Sequence, residues 1–275
     1  MPLFETSTLF IILLAYQQLS GDMDYAVHYE PLLRGYAEWL YNDNALYPKK
    51  QLISVDAVPP RANQTGLAIQ SAIGLNAAGV LLNDTKYSAL AAEYVSEIYV
   101  KGLGVSEDST HFTYYYGEDE TWNVLYPAFS DVLLGLDTFP QEAWEMQTQW
   151  YLEHIYELGL PWAGPIQHKA YEGQKMDWAL LDWSKWPDLH AMKLLDLTYP
   201  CADIVYAAAS SPELQQAVVK TSHAFLTNGK NDQPFGTKYP VTGPQAGKWM
   251  GPNKARPTVG SNFAILAMKE GLIYP

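Results

Sequence analysis

Residues 66–82 read GLAIQSAIGLNAAGVLL, and residues 86–100, after a turn of three residues, read KYSALAAEYVSEIYV. The first segment is rich in Ala, Gly and large aliphatic residues, which favours a closely packed, buried helix. In the second, apolar residues recur three and four positions apart, as on one helix face; they are Tyr87, Leu90, Ala91, Tyr94 and Ile98. The two segments therefore predict a helical hairpin.

Similar pairs of helices are predicted on both sides of this hairpin. Helical periodicity is found at 6–19 and 29–41, 124–136 and 141–158, 202–210 and 212–227, and 258–269. Segments with the alternation of β-strands do not separate them, which argues against a parallel α/β architecture. The alternation of short and long loops predicts one all-α toroid of hairpins over residues 1–275, although a helical solenoid would give a similar pattern.

The predicted first helix shows its boundaries and an apolar stripe. Ser7 is expected to cap it and Gly21 to end it. Its apolar residues recur three and four positions apart, as expected of one helix face; they are Leu9, Ile12, Leu13, Tyr16 and Leu19.

The overall composition limits the classes of protein to which the chain can belong. Hydrophobic residues make up 48% of its 275 residues and charged residues 17%, which is typical of a globular protein. The formal net charge is −13, which repels polyanions, so we expect no nucleic-acid partner. The single cysteine, Cys201, excludes an internal disulfide and a zinc site built on cysteines.

No segment predicts a membrane span or a signal peptide. The longest continuous apolar run, residues 9–16, is about half the length that crosses a bilayer, so no membrane partner is expected. The first residues carry an acid, Glu5, where a signal peptide has basic residues. Two sequons, at Asn63 and Asn83, would suit a secreted glycoprotein.

Four long loops hold most of the proline, glycine and unusual polar residues, at 47–64, 102–122, 159–182 and 228–256. Long loops inside a compact domain are commonly functional. The second loop runs into STHFTYYYGEDETWN at 109–123, where His111 and Trp122 lie among further aromatic and acidic residues. So many rings in a loop predict contact with a ligand, the alternative being a structural plug.

Carboxylates are the candidate catalytic groups. The sequence motifs of serine nucleophiles, zinc hydrolysis and nucleotide binding are absent, so neither a metal nor a cofactor is predicted. Glu5 is expected just ahead of the first helix, and Asp56 follows an apolar stretch. The alternatives are that Glu5 only stabilises the helix N-terminus and that Asp56 forms an Asx turn.

A further acid and a cation complete the candidate site. Asp182 lies beside Trp183, and an adjacent indole suits a carboxylic acid whose pKa is raised by desolvation. The pair at 177–178 offers the same combination, and spacing does not choose between the two. Arg256 precedes the last predicted helix, where its guanidinium could clamp a carboxylate or form a structural ion pair.

Several stretches, in order along most of the chain, resemble the fungal glutaminase A family. They include YPKKQLISVD at 47–56, STHFTY at 109–114, TWNVLYPAF at 121–129, GLPWAGP at 159–165 and ARPTVG at 255–260. The resemblance implies an (α/α)6 toroid of six helical hairpins, related in shape to glycosidases. It also implies secreted, extracellular enzymes that hydrolyse glutamine to glutamate and ammonia.

The chain departs from this family in two respects. Family members carry a β-rich domain ahead of the helical one, which is thus an expected intramolecular partner. Six hairpins need twelve helices and nine are predicted, so we expect a toroid that is incomplete at its N-terminus. Residues 184–201, which follow Trp183, are interpreted as an insertion.

The loops and the resemblance together lead to a hypothesis for the site. Asp56 or Glu5 activates water against the side-chain amide of glutamine, and Asp182 acts as the acid. The predicted substrate-binding residues are His111, Trp122, Trp183 and Arg256, the last binding the α-carboxylate of glutamine. Two alternatives are a carbohydrate-active domain that cleaves a glycosidic bond with two acids, and an inactive binding remnant of the family.

Overall fold

The computed structural model describes residues 2–49, 62–161, 205–228, 241 and 246–247. Its helices are α1 (Pro2–Ser20), α2 (Asp24–His28), α3 (Glu30–Asn42), α4 (Thr65–Leu82), α5 (Thr85–Val95), α6 (Tyr126–Leu134), α7 (Gln141–His154) and α8 (Pro212–Asn228). A π-helical turn, Ser96–Val100, extends α5. Within the described ranges, β-type pairing is confined to three isolated bridges, which confirms the all-α prediction.

The chain divides into two compact units. The first consists of Met1–Asp119 and Tyr126–Ala143, and the second of Glu120–Leu125 and Trp144–Pro275. The assignment of one domain to residues 1–275, with an insertion at 184–201, stays a prediction.

Helix α4 forms the centre of the first unit. It packs most extensively against α1 and α5, and all its residues except Asn76 and Val80 are buried. Among the described helices it alone is long and apolar enough to cross a membrane, but 89% of that span is buried inside the protein. The search for continuous apolar runs in the sequence did not single out α4, because polar residues, including Asn76, interrupt its apolar segment.

Helix α1 turns a different face to the core than the sequence predicted. Its buried residues are Leu3, Ser7, Phe10, Ile11 and Leu14. By contrast, Ile12, Tyr16 and Leu19 of the predicted stripe are exposed. Ser7 lies inside the helix and not at its cap, because α1 begins at Pro2. Gly21 ends the helix as predicted, with φ of +72°.

The close approach of α1 and α4 selects the buried face of α1. A Cβ atom added to Gly74 would lie 2.5 Å from Ser7 Cβ and 2.6 Å from Ser7 Cα. Such distances leave no room for any side chain at position 74, so the glycine sets the spacing of the two helices.

The two helices that flank α4 in the sequence match their predictions more closely. In α5 and the following π-helical turn, the buried side chains Tyr87, Ala91, Tyr94 and Ile98 belong to the predicted stripe. Helix α3 has the predicted length within one or two residues, but buries only Leu33, Ala37 and Leu40.

One arginine joins α3 to the turn between α4 and α5. Arg34 Nη1 lies 3.1 Å from Asp84 Oδ2, and Arg34 Nη2 donates to Leu82 O at 3.2 Å. Asp84 caps α5 by accepting from Lys86 N at 3.3 Å. The hairpin turn predicted between residues 82 and 86 is therefore fixed by hydrogen bonds at both helix ends.

The later helices differ from prediction mainly in length. Helix α6 is shorter than the predicted 124–136, and α7 ends at His154 and not at residue 158. Residues 205–208 of the helix predicted at 202–210 are helical, whereas the helix predicted at 258–269 lies outside the described residues. The buried carboxylate of Asp131 closes the turn after α6 by accepting from Thr138 N at 3.0 Å and Phe139 N at 3.1 Å.

Candidate functional site

Three of the seven predicted site residues lie within the described part of the chain, and these are Glu5, His111 and Trp122. The other four are outside it, namely Asp56, Asp182, Trp183 and Arg256. Glu5 and His111 belong to the first unit and Trp122 to the second.

Glu5 is an exposed residue in the first turn of α1. The sequence predicted that Glu5 precedes the helix. The residue lies inside it instead, because α1 begins at Pro2. A carboxylate in the first turn is favoured by the partial positive charge of the helix N-terminus. Its catalytic role stays a prediction.

The loop that carries His111 is tied to the start of α4. Thr65 N donates to Tyr114 O at 2.9 Å, and Thr113 N donates to Gly104 O at 2.9 Å. The hydroxyl oxygens of Thr65 and Thr113 lie 3.3 Å apart. The segment 112–116 thus has backbone partners on two sides, which gives a loop the order that a binding site needs.

His111 closes a tight turn formed by residues 105–112. Val105 and Phe112 form an antiparallel bridge, and Ser106 N donates to His111 O at 3.0 Å. At the tip, Ser109 has a φ of +58°. The His111 side chain is only 2% exposed, so its polar contacts lie in a region of low dielectric where electrostatic interactions are strong.

A carboxylate and two hydroxyls surround this turn. Asp108 Oδ1 accepts hydrogen bonds from Ser106 Oγ at 2.7 Å, from Thr110 N at 3.2 Å and from Thr110 Oγ1 at 2.8 Å. These bonds from Ser106 and Thr110 hold the pKa of Asp108 below its ordinary value. Thr110 Oγ1 also lies 2.9 Å from His111 Nδ1.

Trp122 is buried in a cluster of rings in the second unit. Its ring centroid lies 6.1 Å from that of Trp150, 6.3 Å from that of Tyr151 and 5.5 Å from that of His154. Trp150 and His154 are one helical turn apart on α7 and stack with centroids 3.9 Å apart. The indole packs edge-on to Trp150 and tilted against Tyr151 and His154, so side chains of α7 fix its orientation.

The backbone after Trp122 is fixed by a buried phenol. Tyr151 Oη accepts from Leu125 N at 2.9 Å and donates to Asn123 O at 3.2 Å. The Asn123 side chain is 1% exposed, and its Oδ1 has no hydrogen-bond partner among the described residues. A buried amide oxygen without a partner is an acceptor suited to an N–H group of a ligand.

Four residues that surround the candidate site were not predicted from the sequence, namely Asp108, Thr110, Asn123 and His154. The spacing of Ser106, Asp108 and Thr110 is typical of side chains that bond the backbone two residues away, and it could have predicted the turn around Asp108. For Asn123 no local signal exists, because its surroundings come from α7.

Comparison with known proteins identifies the family of this fold. Residues 1–193 and 197–266 match the family described as "Glutaminase A six helical-hairpin domain". The matched ranges contain all seven predicted site residues.

Two relatives carry glutaminase names. Over 168 residues, or 58% of its length, the chain is 33% identical to "Glutaminase A" of Aspergillus oryzae (strain ATCC 42149 / RIB 40). Over 263 residues, or 82% of its length, it is 25% identical to "Probable glutaminase" of Arthroderma benhamiae (strain ATCC MYA-4681 / CBS 112371). The matches cover 24% and 26% of these proteins, so the chain spans about a quarter of the curated relatives it matches.

The helical architecture and the match over most of the chain agree with the resemblance seen in the sequence. The chain belongs to the glutaminase A family, within its six helical-hairpin domain.

Proposed function

We propose that this chain hydrolyses the side-chain amide of L-glutamine to L-glutamate and ammonia. The observation that carries the proposal is the family match, which extends over nearly the whole chain. It is supported by the names of the two fungal relatives, "Glutaminase A" and "Probable glutaminase".

Hydrolysis of the amide requires one carboxylate that acts as a base and one carboxylic acid that acts as a proton donor. Asp56, or Glu5 in its place, takes a proton from water, whose oxygen attacks the amide carbon, and Asp182 gives a proton to the departing nitrogen as the carbon–nitrogen bond breaks. Arg256 is proposed to bind the α-carboxylate through paired hydrogen bonds, and Trp183, next to Asp182 in the sequence, to contact the substrate. The products balance, because water supplies the hydroxyl of the new carboxyl group and ammonia leaves.

The described side chains supply the ordered part of the site. His111 and Trp122 are both buried, and each is held by several neighbours within its own unit, so each would present a fixed side chain to a ligand. Asn123 Oδ1, beside Trp122, supplies an acceptor for an N–H group of glutamine. Groups fixed before the ligand arrives lose little entropy on binding it.

Export from the cell is part of the proposal. The asparagines of both sequons, Asn63 and Asn83, have exposed side chains in non-helical backbone at φ of +59° and +48°. Exposure in a turn is what an N-glycosylation acceptor requires. A β-rich domain in the complete protein is the partner that the family resemblance implies.

Product analysis of the purified 275-residue chain tests the proposed reaction. Incubated with L-glutamine, it is expected to release ammonia and L-glutamate in equal amounts, and to release much less ammonia from L-asparagine or D-glutamine. The same preparation is incubated with a panel of glycans, and reducing sugar is measured.

Two results would contradict the glutaminase proposal. Reducing sugar released without ammonia would favour a carbohydrate-active domain that uses two acids. A rise in melting temperature with L-glutamine but no turnover would identify a binding remnant, because a ligand that binds only the folded state stabilises it.

A further inference from the structure

The side of α7 that carries Tyr151 and His154 lies against Trp122 and Asn123. Tyr151 Oη donates to Asn123 O at 3.2 Å, and the ring centroids of Trp122 and His154 are 5.5 Å apart. Residues three positions apart share one side of a helix, so Asn123 and His154 both belong to the surroundings of the Trp122 indole. All four residues are in the second unit.

A backbone carbonyl fixes the protonation of His154. Its Nδ1 lies 2.8 Å from Trp150 O, one turn earlier in α7. A carbonyl oxygen can only accept a hydrogen bond, so Nδ1 must carry the proton. In the neutral imidazole the other nitrogen, Nε2, is then a hydrogen-bond acceptor. Turning the ring would break this bond, and the ring is also held by stacking on Trp150 at 3.9 Å between centroids.

Two acceptors in these surroundings lack a hydrogen-bond partner within the part of the chain that the structure describes. One is Nε2 of His154, whose ring is half-buried and whose hydrogen bond is made by Nδ1. The other is Asn123 Oδ1, on a side chain that is 1% exposed. An acceptor taken out of water without a partner costs free energy, which a donor on a ligand restores.

Indole rings beside these acceptors favour a positively charged ligand group. The rings of Trp122 and Trp150 have their centroids 6.1 Å apart, and the π-electrons of an indole attract a cation. An ammonium group carries three N–H donors and a positive charge, so it satisfies acceptors and indoles together. A neutral amide nitrogen would satisfy only the acceptors.

We propose that Trp122, Asn123 and His154 form a binding site for the α-ammonium group of the substrate, so that free L-glutamine is preferred over glutamine whose α-amino group is acylated. The inference rests on the proposed function and deepens it by naming the substrate class. Acylation removes the charge and leaves one N–H donor of three. His154 binds the substrate here and takes no part in the bond that breaks.

A purely structural role of His154 makes a different prediction. A histidine in the last turn of α7 that donates to a carbonyl also stabilises the C-terminus of the helix. His154→Asn separates the two roles. The asparagine Nδ2 can still donate to Trp150 O, as Nδ1 does, but no atom remains at the position of Nε2.

Kinetics with two substrates test the binding site. The wild-type chain is expected to hydrolyse L-glutamine with a kcat/KM at least about tenfold above that for N-acetyl-L-glutamine, the equivalent of one hydrogen bond to a charged group. His154→Asn should lower kcat/KM for L-glutamine about tenfold, through KM, and leave that for N-acetyl-L-glutamine nearly unchanged. An equal preference in the wild type and in His154→Asn would overturn the proposal.

Two further variants make this comparison specific. His223 is exposed on α8, and His223→Asn, the matched control, is expected to leave the preference unchanged. Asn123→Leu replaces the unpartnered amide by an apolar group of similar volume, and is expected to narrow the preference as His154→Asn does. A full preference in folded Asn123→Leu would remove Asn123 from the site.

Nitrogen NMR of the full chain labelled with ¹⁵N-histidine tests the site without turnover. The His154 signals are those that His154→Asn lacks. At a pH where the ring is neutral, Nδ1 is expected to show the shift of a protonated nitrogen and Nε2 that of an unprotonated one. The product L-glutamate should move the Nε2 signal, and N-acetyl-L-glutamate should not. Protonated Nε2 in the free chain, or an equal response to both compounds, would overturn the proposal.

The binding site and the proposed function fail in different ways. A chain that releases no ammonia from L-glutamine, but whose Nε2 signal responds to L-glutamate alone, contradicts only the function. An active chain whose Nε2 signal does not respond to L-glutamate contradicts only the binding site.

Discussion

Replacing Gly74 by alanine is expected to lower the free energy of unfolding by about 1–3 kcal/mol, the cost of overfilling a packed interface. The added Cβ would lie 2.6 Å from the Cα of Ser7, a backbone atom that cannot rotate away. Relief requires α1 and α4 to separate, which weakens the packing of Phe10 and Leu14. This loss outweighs the gain of about 1 kcal/mol that alanine brings to a helix interior.

Gly35 provides the matched control for this substitution. It is exposed in α3, and a Cβ added there would meet no atom within 4 Å. Gly35→Ala should therefore stabilise the protein by about 0.4–1 kcal/mol through helix propensity. The two variants are compared by denaturant unfolding, in which a shift of the midpoint at an unchanged m-value reports the change in stability. A Gly74→Ala protein as stable as the wild type would show that α1 and α4 do not pack at this distance.

Replacing Asp56 by asparagine is expected to reduce kcat for ammonia release on the order of 10²- to 10⁴-fold, the usual contribution of a general base. Asparagine preserves the size of the side chain but cannot take a proton from water. Since the change affects the reaction more than binding, KM should change little. Steady-state kinetics with L-glutamine measure both constants.

Glu5→Gln is the comparison variant for Asp56→Asn. Glu5 is exposed in the first turn of α1, where a carboxylate interacts with the helix dipole. We expect its replacement to cost about 0.3–1 kcal/mol of stability and to leave kcat nearly unchanged. If Glu5→Gln abolished turnover while Asp56→Asn did not, the base would be Glu5.

The sequence predicts helices well where their apolar residues lie on one face. Four of the five residues of the stripe predicted from Tyr87 to Ile98 are buried, and the fifth, Leu90, is half-buried. Helix α1 differs because apolar residues surround it, so that period 3.6 fits more than one face. The buried face is chosen by contact with Gly74, which lies 67 positions after Ser7, and local periodicity carries no such information.

The candidate site shows the same division between local and distant information. His111 was predicted from its loop and from the family resemblance, and the turn that holds it is built from residues 105–112. The ring cluster around Trp122 depends on side chains of α7, and so do the surroundings of the Asn123 amide oxygen, which has no partner within the described part of the chain. Tertiary packing creates these features, so the spacing of residues along the chain could not predict them.

The central claim is that the ordered turn around His111 belongs to a glutamine-hydrolysing site, and His111→Asn tests it most directly. The shorter asparagine side chain has no group at the position of Nε2, so the substitution removes any contact that this end of the imidazole makes with a ligand. The measurement is kcat/KM for ammonia release from L-glutamine, with His111→Gln as the control that can place an oxygen near Nε2. We predict a fall of about tenfold or more for His111→Asn and a smaller one for His111→Gln. Unchanged kcat/KM in a folded His111→Asn protein would contradict the account.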